Sequence, residues 1–586
     1  MNYTAETTMN TEEKSRSFLK SLFTGEIEQE MVFPYPKMKP EEQESLQTIV
    51  DAFNEFARDN IKSEEIDRLG YIPQNVWDGL KQIGFFGLSI PEQYGGAGLS
   101  QTAYSRVFEQ ICNFDASLAV SLGGHLSIGS KGIIMFGTDQ QKERFLPRMA
   151  SGELMGSFAL TEAGAGSDAA GIQSKAVLEA SKKFFTLNGG KIWITNGGIG
   201  HVYTVFAKTE MLEGGEKREK ITGFIVERGM PGFSSGKPEE KLGIHGSNTT
   251  SLNFDNVQLP VENMLGPMGK GFKVAMEILN VGRLGLASGC LGGCKALTKL
   301  TIEHAKNRKQ FGKPIAQFEM IQEKISQMVT DTYAAESMVY LTTALADRED
   351  VDFSLESAIS KIFVSEAVWR VANEAMQIAG GIGYSRDYPY ERILRDSRIN
   401  LIFEGTNEIL RAFVALSGIQ GPGEYLKKIG KALRDPIKGF GLLTGYAVQK
   451  VKDKVAHDQL TGVHAKLSDE VAKFNEYAKA LHQATERVLM KHGKDIILKQ
   501  FVQRRLADMT IDLFAMIAII ARVDTLLKSN ARNVEQDLLV TKTFIDEAWR
   551  RIRRNYRQID DNIDRERKQV CEMVYERNGY PFKVNV

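Results

Sequence analysis

Apolar positions recur at helical spacing early in the chain. Leu46, Ile49, Val50, Phe53 and Phe56 fall on one face of a 3.6-residue period, which predicts an amphipathic helix over 41–60. The same spacing predicts helices over 73–83, 103–114, 122–136 and 139–149, interrupted by the turn Tyr94-Gly95-Gly96-Ala97-Gly98. Ahead of them, residues 1–38 are polar and carry Pro34 and Pro36; an arm with one short helix near 14–23 is expected. The period then changes. Residues 156–161, 202–207, 223–226 and 251–254 have strand character, and 184–187 and 191–195 flank Asn188-Gly189, a hairpin signal. Long helical patterns return over 272–305, 315–348 and 354–379, with another after Glu404, and predict a four-helix bundle. The run Gly418-Ile419-Gln420-Gly421-Pro422-Gly423 is expected to end that domain. Beyond it the pattern is helical over 424–455, 467–492, 496–529 and 535–559. Residues 509–523 are strongly apolar, but Asp512 and Arg522 leave too short a run to cross a bilayer, so a core helix is expected.

The predicted fold class is α with an inserted all-β domain. The expected organisation is an arm at 1–38, a helical domain at 39–154, a β domain at 155–262, a helical bundle at 263–418 and a helical extension at 419–586. Composition changes this picture little. Lys plus Arg and Asp plus Glu both number 74, so no global field favours nucleic acid. Cys112, Cys290, Cys294 and Cys571 form neither a disulfide framework nor a metal-ligand set, and no metal is expected. They suit a reducing, cytoplasmic setting of bacterial type. Residues 1–25 carry Glu6, Glu12 and Glu13 around no apolar core, which argues against a signal or transit peptide.

The most informative stretch is Leu401-Ile402-Phe403-Glu404-Gly405-Thr406-Asn407-Glu408. Its carboxylate lies between bulky apolar residues and a glycine, and desolvation there would raise its pKa and make it a usable base. Thr406 or Asn407 would cap a following helix. A plain helix start with an acid in its first turn is the alternative. The loop Thr161-Glu162-Ala163-Gly164-Ala165-Gly166-Ser167-Asp168 could turn backbone N–H groups toward a flat ring or phosphate, or simply be a turn. Trp193 and Thr195 share one strand face and could cover an aromatic cofactor, or belong to a β core. Arg308 at a helix end could bond a pyrophosphate or compensate the helix dipole. Gly380 fits a C-terminal cap, and Arg395-Asp396 is expected to be a structural pair.

In combination these blocks resemble the acyl-CoA dehydrogenases, flavoproteins that oxidise acyl thioesters. The resemblance rests on Tyr94-Gly95-Gly96, on 160–168, on Trp193-Ile194-Thr195-Asn196-Gly197, on Arg308-Lys309-Gln310-Phe311-Gly312, on 377–381 and on Phe403-Glu404-Gly405-Thr406, in the family's order. The helical tail and residues 121–129 resemble the very-long-chain branch. The resemblance implies FAD as cofactor and Glu404 as the base that removes the α-proton. It implies that Leu160, Thr161, Ser167, Trp193, Ile194 and Thr195 hold the flavin ring. Arg308, Gln310, Phe311, Gln377, Gly380 and Gly381 would reach FAD across a subunit interface, with Thr406 and Glu408 also near it. Ser167, Asn280, Arg283 and Gly405 would contact the CoA thioester. Gly123 and Gly124 would deepen an acyl tunnel, unless they are helix-packing glycines. Some branches carry the catalytic acid at the position of Gly282, which a glycine cannot supply.

The implied function is FAD-dependent α,β-dehydrogenation of long-chain fatty acyl-CoA in β-oxidation. The product would be trans-2-enoyl-CoA, with electrons passed to an electron-transfer flavoprotein by a homodimer. An assembly protein of low turnover and an acyl-CoA oxidase are the alternatives. Residues 424–455 carry eight Lys and Arg against three acids, with apolar positions between. They would lie peripherally on an anionic inner-membrane face, or form a solvated loop over the dimer.

Overall fold

The computed structural model describes residues 16–434 and 458–582. They form two compact units, one containing Arg16 and 35–409, the other containing 17–34 and the residues from Leu410 onward. Most of the basic segment expected at 424–455 lies outside the described residues.

The short helix expected near 14–23 is present. Ser17 caps helix α1 (Phe18–Thr24), whose Phe18, Leu19, Leu22 and Phe23 are buried in the second unit. In the first unit come α2 (Pro40–Asn60), α3 (Ser63–Leu69), α4 (Gln74–Gln82), α5 (Gln101–Phe114), α6 (Ala116–Gly123), α7 (Lys131–Phe136) and α8 (Asp139–Ala150). Pro40 starts α2 where its missing N–H costs nothing, and Phe53 and Ala57 on its inner face enter a core with Phe85 and Trp77. The single helix expected over 122–136 is broken by a π turn, Gly124–Gly129, which widens the helix beside the candidate site.

The β domain has strands β1 (Gly156–Ala159), β2 (Lys175–Leu178), β3 (Phe184–Thr195), β4 (Val202–Glu213), β5 (Glu216–Glu227), β6 (Phe233–Ser235), β7 (Thr249–Pro260) and β8 (Met264–Leu265). Their order is β6-β7-β3-β2-β4-β5-β8, with β1 parallel to β4. Asn188-Gly189 makes no hairpin, because β3 is one strand that pairs with β7 and β2. The register slips between Leu187 and Gly189, where Gly189 adopts φ +138°. A bulge and a two-residue turn ask for the same glycine chemistry, which is why the signal misled. The β4–β5 hairpin turns instead at Gly214-Gly215, both with positive φ.

Helices α9 (Gly271–Asn307), α10 (Glu319–Ala346) and α11 (Ser354–Ala379) follow, then short α12 (Gly381–Tyr384) and α13 (Tyr390–Ser397), and α14 (Asn407–Arg434), whose first residues complete the first unit. Gly380 ends α11 with positive φ, donating its N–H to the carbonyls of Met376 and Gln377, as expected of a cap. The glycine and proline run at 418–423 does not break the chain; it lies inside α14. A Cβ at Gly418 would stand 2.3 Å from the Phe23 ring, so this glycine answers a close helix contact. The second unit continues with α15 (Ser468–His492), α16 (Gln500–Lys528), α17 (Val534–Gln558) and α18 (Asp564–Glu576). Residues 509–521 are almost wholly buried in α16, and Asp512 within them is paired with Arg551 at 2.7 Å. The stretch Ala116–Phe136 and helix α9 are long and apolar enough to cross a membrane, and 67% of each apolar stretch is buried in the fold. Among the described residues the four cysteines are free.

Candidate active site

Three elements converge on Glu404. The loop after α13 brings it there with φ +59°, followed by Gly405 at φ +94°. A non-glycine residue in the left-handed region persists only where its surroundings impose it. Two cations do so from neighbouring helices. From α9, Arg283 donates Nε–H to the Glu404 carbonyl at 3.1 Å and Nη1–H to Asn280 Oδ1 at 2.7 Å. From α11, Lys361 donates Nζ–H to the Gly405 carbonyl and to Asn407 Oδ1, both at 2.8 Å. Asn407 in turn donates to Ser365 and Glu366 on α11. Thr406 caps α14, its Oγ1 accepting from the Ile409 N–H at 3.3 Å. Glu404 therefore precedes the helix and is not a first-turn acid; Glu408 holds that position.

The Glu404 side chain points into a cavity of about 650 Å³. Its Oε2 is enclosed and accepts no hydrogen bond. Burial pushes the carboxyl up to about 7, against the opposing pull of Arg283 and Lys361. Across the cavity a Cβ at Gly282 would stand 3.1 Å from Oε2, so the glycine leaves this space to the carboxylate. Burial also pushes the Lys361 ammonium down to about 8. A base near neutrality beside a mostly apolar chamber can take a proton from a weak carbon acid.

Thr195 reaches the same cavity from β3, as do Gly123 and Gly124 from α6 and the π turn. The missing Cβ atoms matter for packing as much as for depth. At Gly123 a Cβ would meet the Phe108 ring at 2.9 Å, and at Gly124 the Thr195 methyl at 2.8 Å. Gly124→Ala is expected to shift Thr195 and weaken flavin retention, measured as the flavin-to-protein absorbance ratio after gel filtration.

The other predicted residues lie outside this cavity. Leu160 is buried, Ile194 is buried, Ser167 is exposed, and Thr161 accepts the Ile192 N–H through its carbonyl. A second register slip, between Lys191 and Ile194, sets Trp193 at φ +58° with its side chain 62% exposed. The glycines of the 161–168 loop face open space. An uncovered indole at an imposed backbone position, beside a glycine loop with free surface, fits a planar aromatic ligand. Arg308, Gln310, Gln377, Gly380, Gly381 and Glu408 are exposed, and Phe311 is 94% exposed at the tip of the turn between Lys309-Gln310 and Lys313-Pro314. Asn280 and Arg283 are engaged with the Glu404 loop, as described. Arg395 bonds Asp67 and Glu391 instead of Asp396, which accepts from the Ile244 N–H.

Sequence inspection missed what holds the glycine loop. Lys191, fully buried on β3, donates to Glu162 Oε1 at 2.7 Å and to the Leu160 carbonyl at 3.1 Å. Glu162 also accepts from the Gln173 and Ser174 N–H groups. The signal was a lysine at an inward position of an alternating strand. Asn196, buried at φ +60°, donates to the Ser121 carbonyl and ties β3 to α6.

A helical domain, a β domain and a helical bundle around a desolvated glutamate define a flavoprotein dehydrogenase class, and family models agree. Models described as acyl-CoA dehydrogenase N-terminal, middle and C-terminal domains match residues 41–153, 157–257 and 269–418. A model described as ACAD9/ACADV, C-terminal domain matches 465–580. The chain belongs to the acyl-CoA dehydrogenase family. Within it, the chain is 41% identical over 578 residues to the human mitochondrial very long-chain specific acyl-CoA dehydrogenase, covering 97% of this chain and 88% of that one. A crystal structure of an acyl-CoA dehydrogenase complexed with FAD from Bacillus anthracis matches with TM-score 0.78 and 30% identity over 96% of both chains. Butyryl-CoA dehydrogenase from Megasphaera elsdenii matches with TM-score 0.61 and 38% identity over 65% of this chain and 99% of its own.

Proposed function

We propose that this chain is an FAD-dependent dehydrogenase of long-chain fatty acyl-CoA, forming trans-2-enoyl-CoA in β-oxidation. The observation that carries the reading is the buried, unbonded Glu404 carboxylate facing a long apolar cavity. Bound FAD supplies the acceptor for the hydride that leaves the β-carbon. Glu404 takes the α-proton, so the C–H electron pair becomes the new double bond. Arg283 and Lys361 hold the carbonyls of Glu404 and Gly405 and keep the base aimed. The apolar wall excludes water from the carboxylate and keeps its basicity near neutral pH. The residues that fit the flavin are Leu160, Thr161, Ser167, Trp193, Ile194 and Thr195. Arg308, Gln310, Phe311, Gln377, Gly380 and Gly381 would complete its site in a homodimer, and their exposure in the single chain supports this; Thr406 and Glu408 would also approach FAD. Ser167, Asn280, Arg283 and Gly405 border the thioester end. An electron-transfer flavoprotein is the proposed acceptor and cytoplasm the proposed setting, with peripheral inner-membrane contact through 424–455. Anaerobic mixing with saturated acyl-CoA of increasing length tests the reading: bleaching of the flavin should favour long chains. Bleaching by no acyl-CoA would point to an assembly role, and stoichiometric peroxide in air to an oxidase.

The pH profile follows from the carboxyl. Glu404 must be ionised to accept a proton, so kcat/KM should rise tenfold per unit at low pH and level off above about 7. Lys361 favours the ionised form, so Lys361→Met should move this limb to higher pH. A limb that stays in place would remove Lys361 from the electrostatics of the base.

A further inference from the structure

The cavity does not stop at an apolar floor. Its wall on α9 runs from Gly282, beside the base, to Lys299 and Glu303. At 1.5 Å per residue Lys299 lies about 25 Å from Gly282, the advance of roughly twenty carbon–carbon bonds in an extended chain, and Glu303 about 31 Å. The facing wall runs the opposite way along the chain, from Glu404 and Asn400 through Asp396 and Arg392 to Pro389. Tyr390, next to Pro389, packs against His304, next to Glu303, so both walls end at the same place. There Lys299, Glu303 and, from the end of α5, Asn113 are exposed. Lys295, Lys299 and Glu303 also border an outer groove of about 490 Å³ with Val329, Thr332 and Tyr333. Exposed polar side chains therefore line this end of the chamber, far from Glu404.

Two cations at that end have donors to spare. Lys299 makes no ion pair among the described residues, whereas Lys295 is committed to Glu109 and Glu336. Arg392 donates one Nη1–H to Ser63 and lies 4.0 Å from Asp115, but its enclosed Nε–H has no acceptor. Among the described residues lining the cavity, Glu303, one turn beyond Lys299, is the one exposed acid. A methyl terminus uses none of these donors. A carboxylate would meet them without being stranded in an apolar pocket, where an uncompensated charge is expelled.

Building on the dehydrogenase reading, we propose that the acyl cavity is a through-tunnel that accepts long ω-carboxyacyl-CoA, with Lys299 positioning the distal carboxylate at a second mouth. The chemistry at the thioester end is unchanged; only the far terminus differs.

The test compares an acyl-CoA of about twenty carbons with its ω-carboxylated counterpart on the flavin-loaded enzyme. Their kcat/KM values for anaerobic flavin reduction are expected to agree within about tenfold. In Lys299→Glu the ratio should turn against the ω-carboxylated substrate by about tenfold or more, a charge reversal at a specificity contact. Calorimetric Kd values for the matching S-alkyl-CoA thioethers, with and without an ω-carboxylate, should show the same shift without turnover. A wild-type preference above about hundredfold for the unsubstituted chain, the mark of a closed pocket, would overturn the proposal. So would an unchanged ratio in the variant. Failure of both chains to bleach the flavin would instead remove the dehydrogenase reading beneath it.

Discussion

Replacing Glu404 with Gln is expected to cut acyl-CoA-dependent flavin reduction by at least ~10²-fold while the protein stays folded and yellow. The two halves of this expectation rest on different observations. The rate falls because an amide cannot take the α-proton at neutral pH. The fold survives because Oε2 accepts no hydrogen bond that an amide would lose. Burial already pushes the carboxyl up to about 7, so the site tolerates a neutral group of this shape. The backbone at φ +59° is held by Arg283 through the Glu404 carbonyl, which the substitution leaves in place. Rapid-mixing absorbance under anaerobic conditions reads the first half; circular dichroism and flavin content read the second. Reduction at the native rate would sink the assignment of the base; the position facing its Oε2, Gly282, carries no carboxylate to take over.

How much of this was legible in the sequence depends on the length scale of the signal. Helices α9 and α11 and the core helix α16 were legible because their apolar periods are long and span many turns. Glu404 was legible because a carboxylate between Phe403 and Gly405 is chemically unusual. The failures share a cause: glycine reports a local need without saying which. Gly189 marked a bulge, not a turn, and a Cβ there would stand 2.4 Å from Ser174 Oγ. Gly418 marked the approach of Phe23, not a break in the helix. The burial of the short helix α1 was not legible because partners of Phe23 lie far along the chain; His482, for one, bonds the Phe23 carbonyl. Long-range polar pairing was equally hidden. Nothing near Arg395 in sequence names Asp67, and nothing near Lys361 names the Gly405 carbonyl.

The buried pair Lys191–Glu162 should be the costliest of these hidden contacts to break. Lys191→Met leaves the Glu162 carboxylate buried without its cation, and removing one partner of such a pair costs ~3–5 kcal/mol. The loss is local in origin, since Lys191 also holds the Leu160 carbonyl at the start of the glycine loop. Flavin should therefore dissociate more readily in the variant, alongside a fall in the thermal midpoint. Glu162→Gln should be milder, because the amide oxygen can still accept from Lys191 or from the Gln173 and Ser174 N–H groups. Combining the two substitutions discriminates a charge effect from lost packing. If the stranded carboxylate is what costs, the double variant recovers part of the stability of Lys191→Met. If it is instead as unstable as the sum of the single variants, the two side chains act as independent props of the loop.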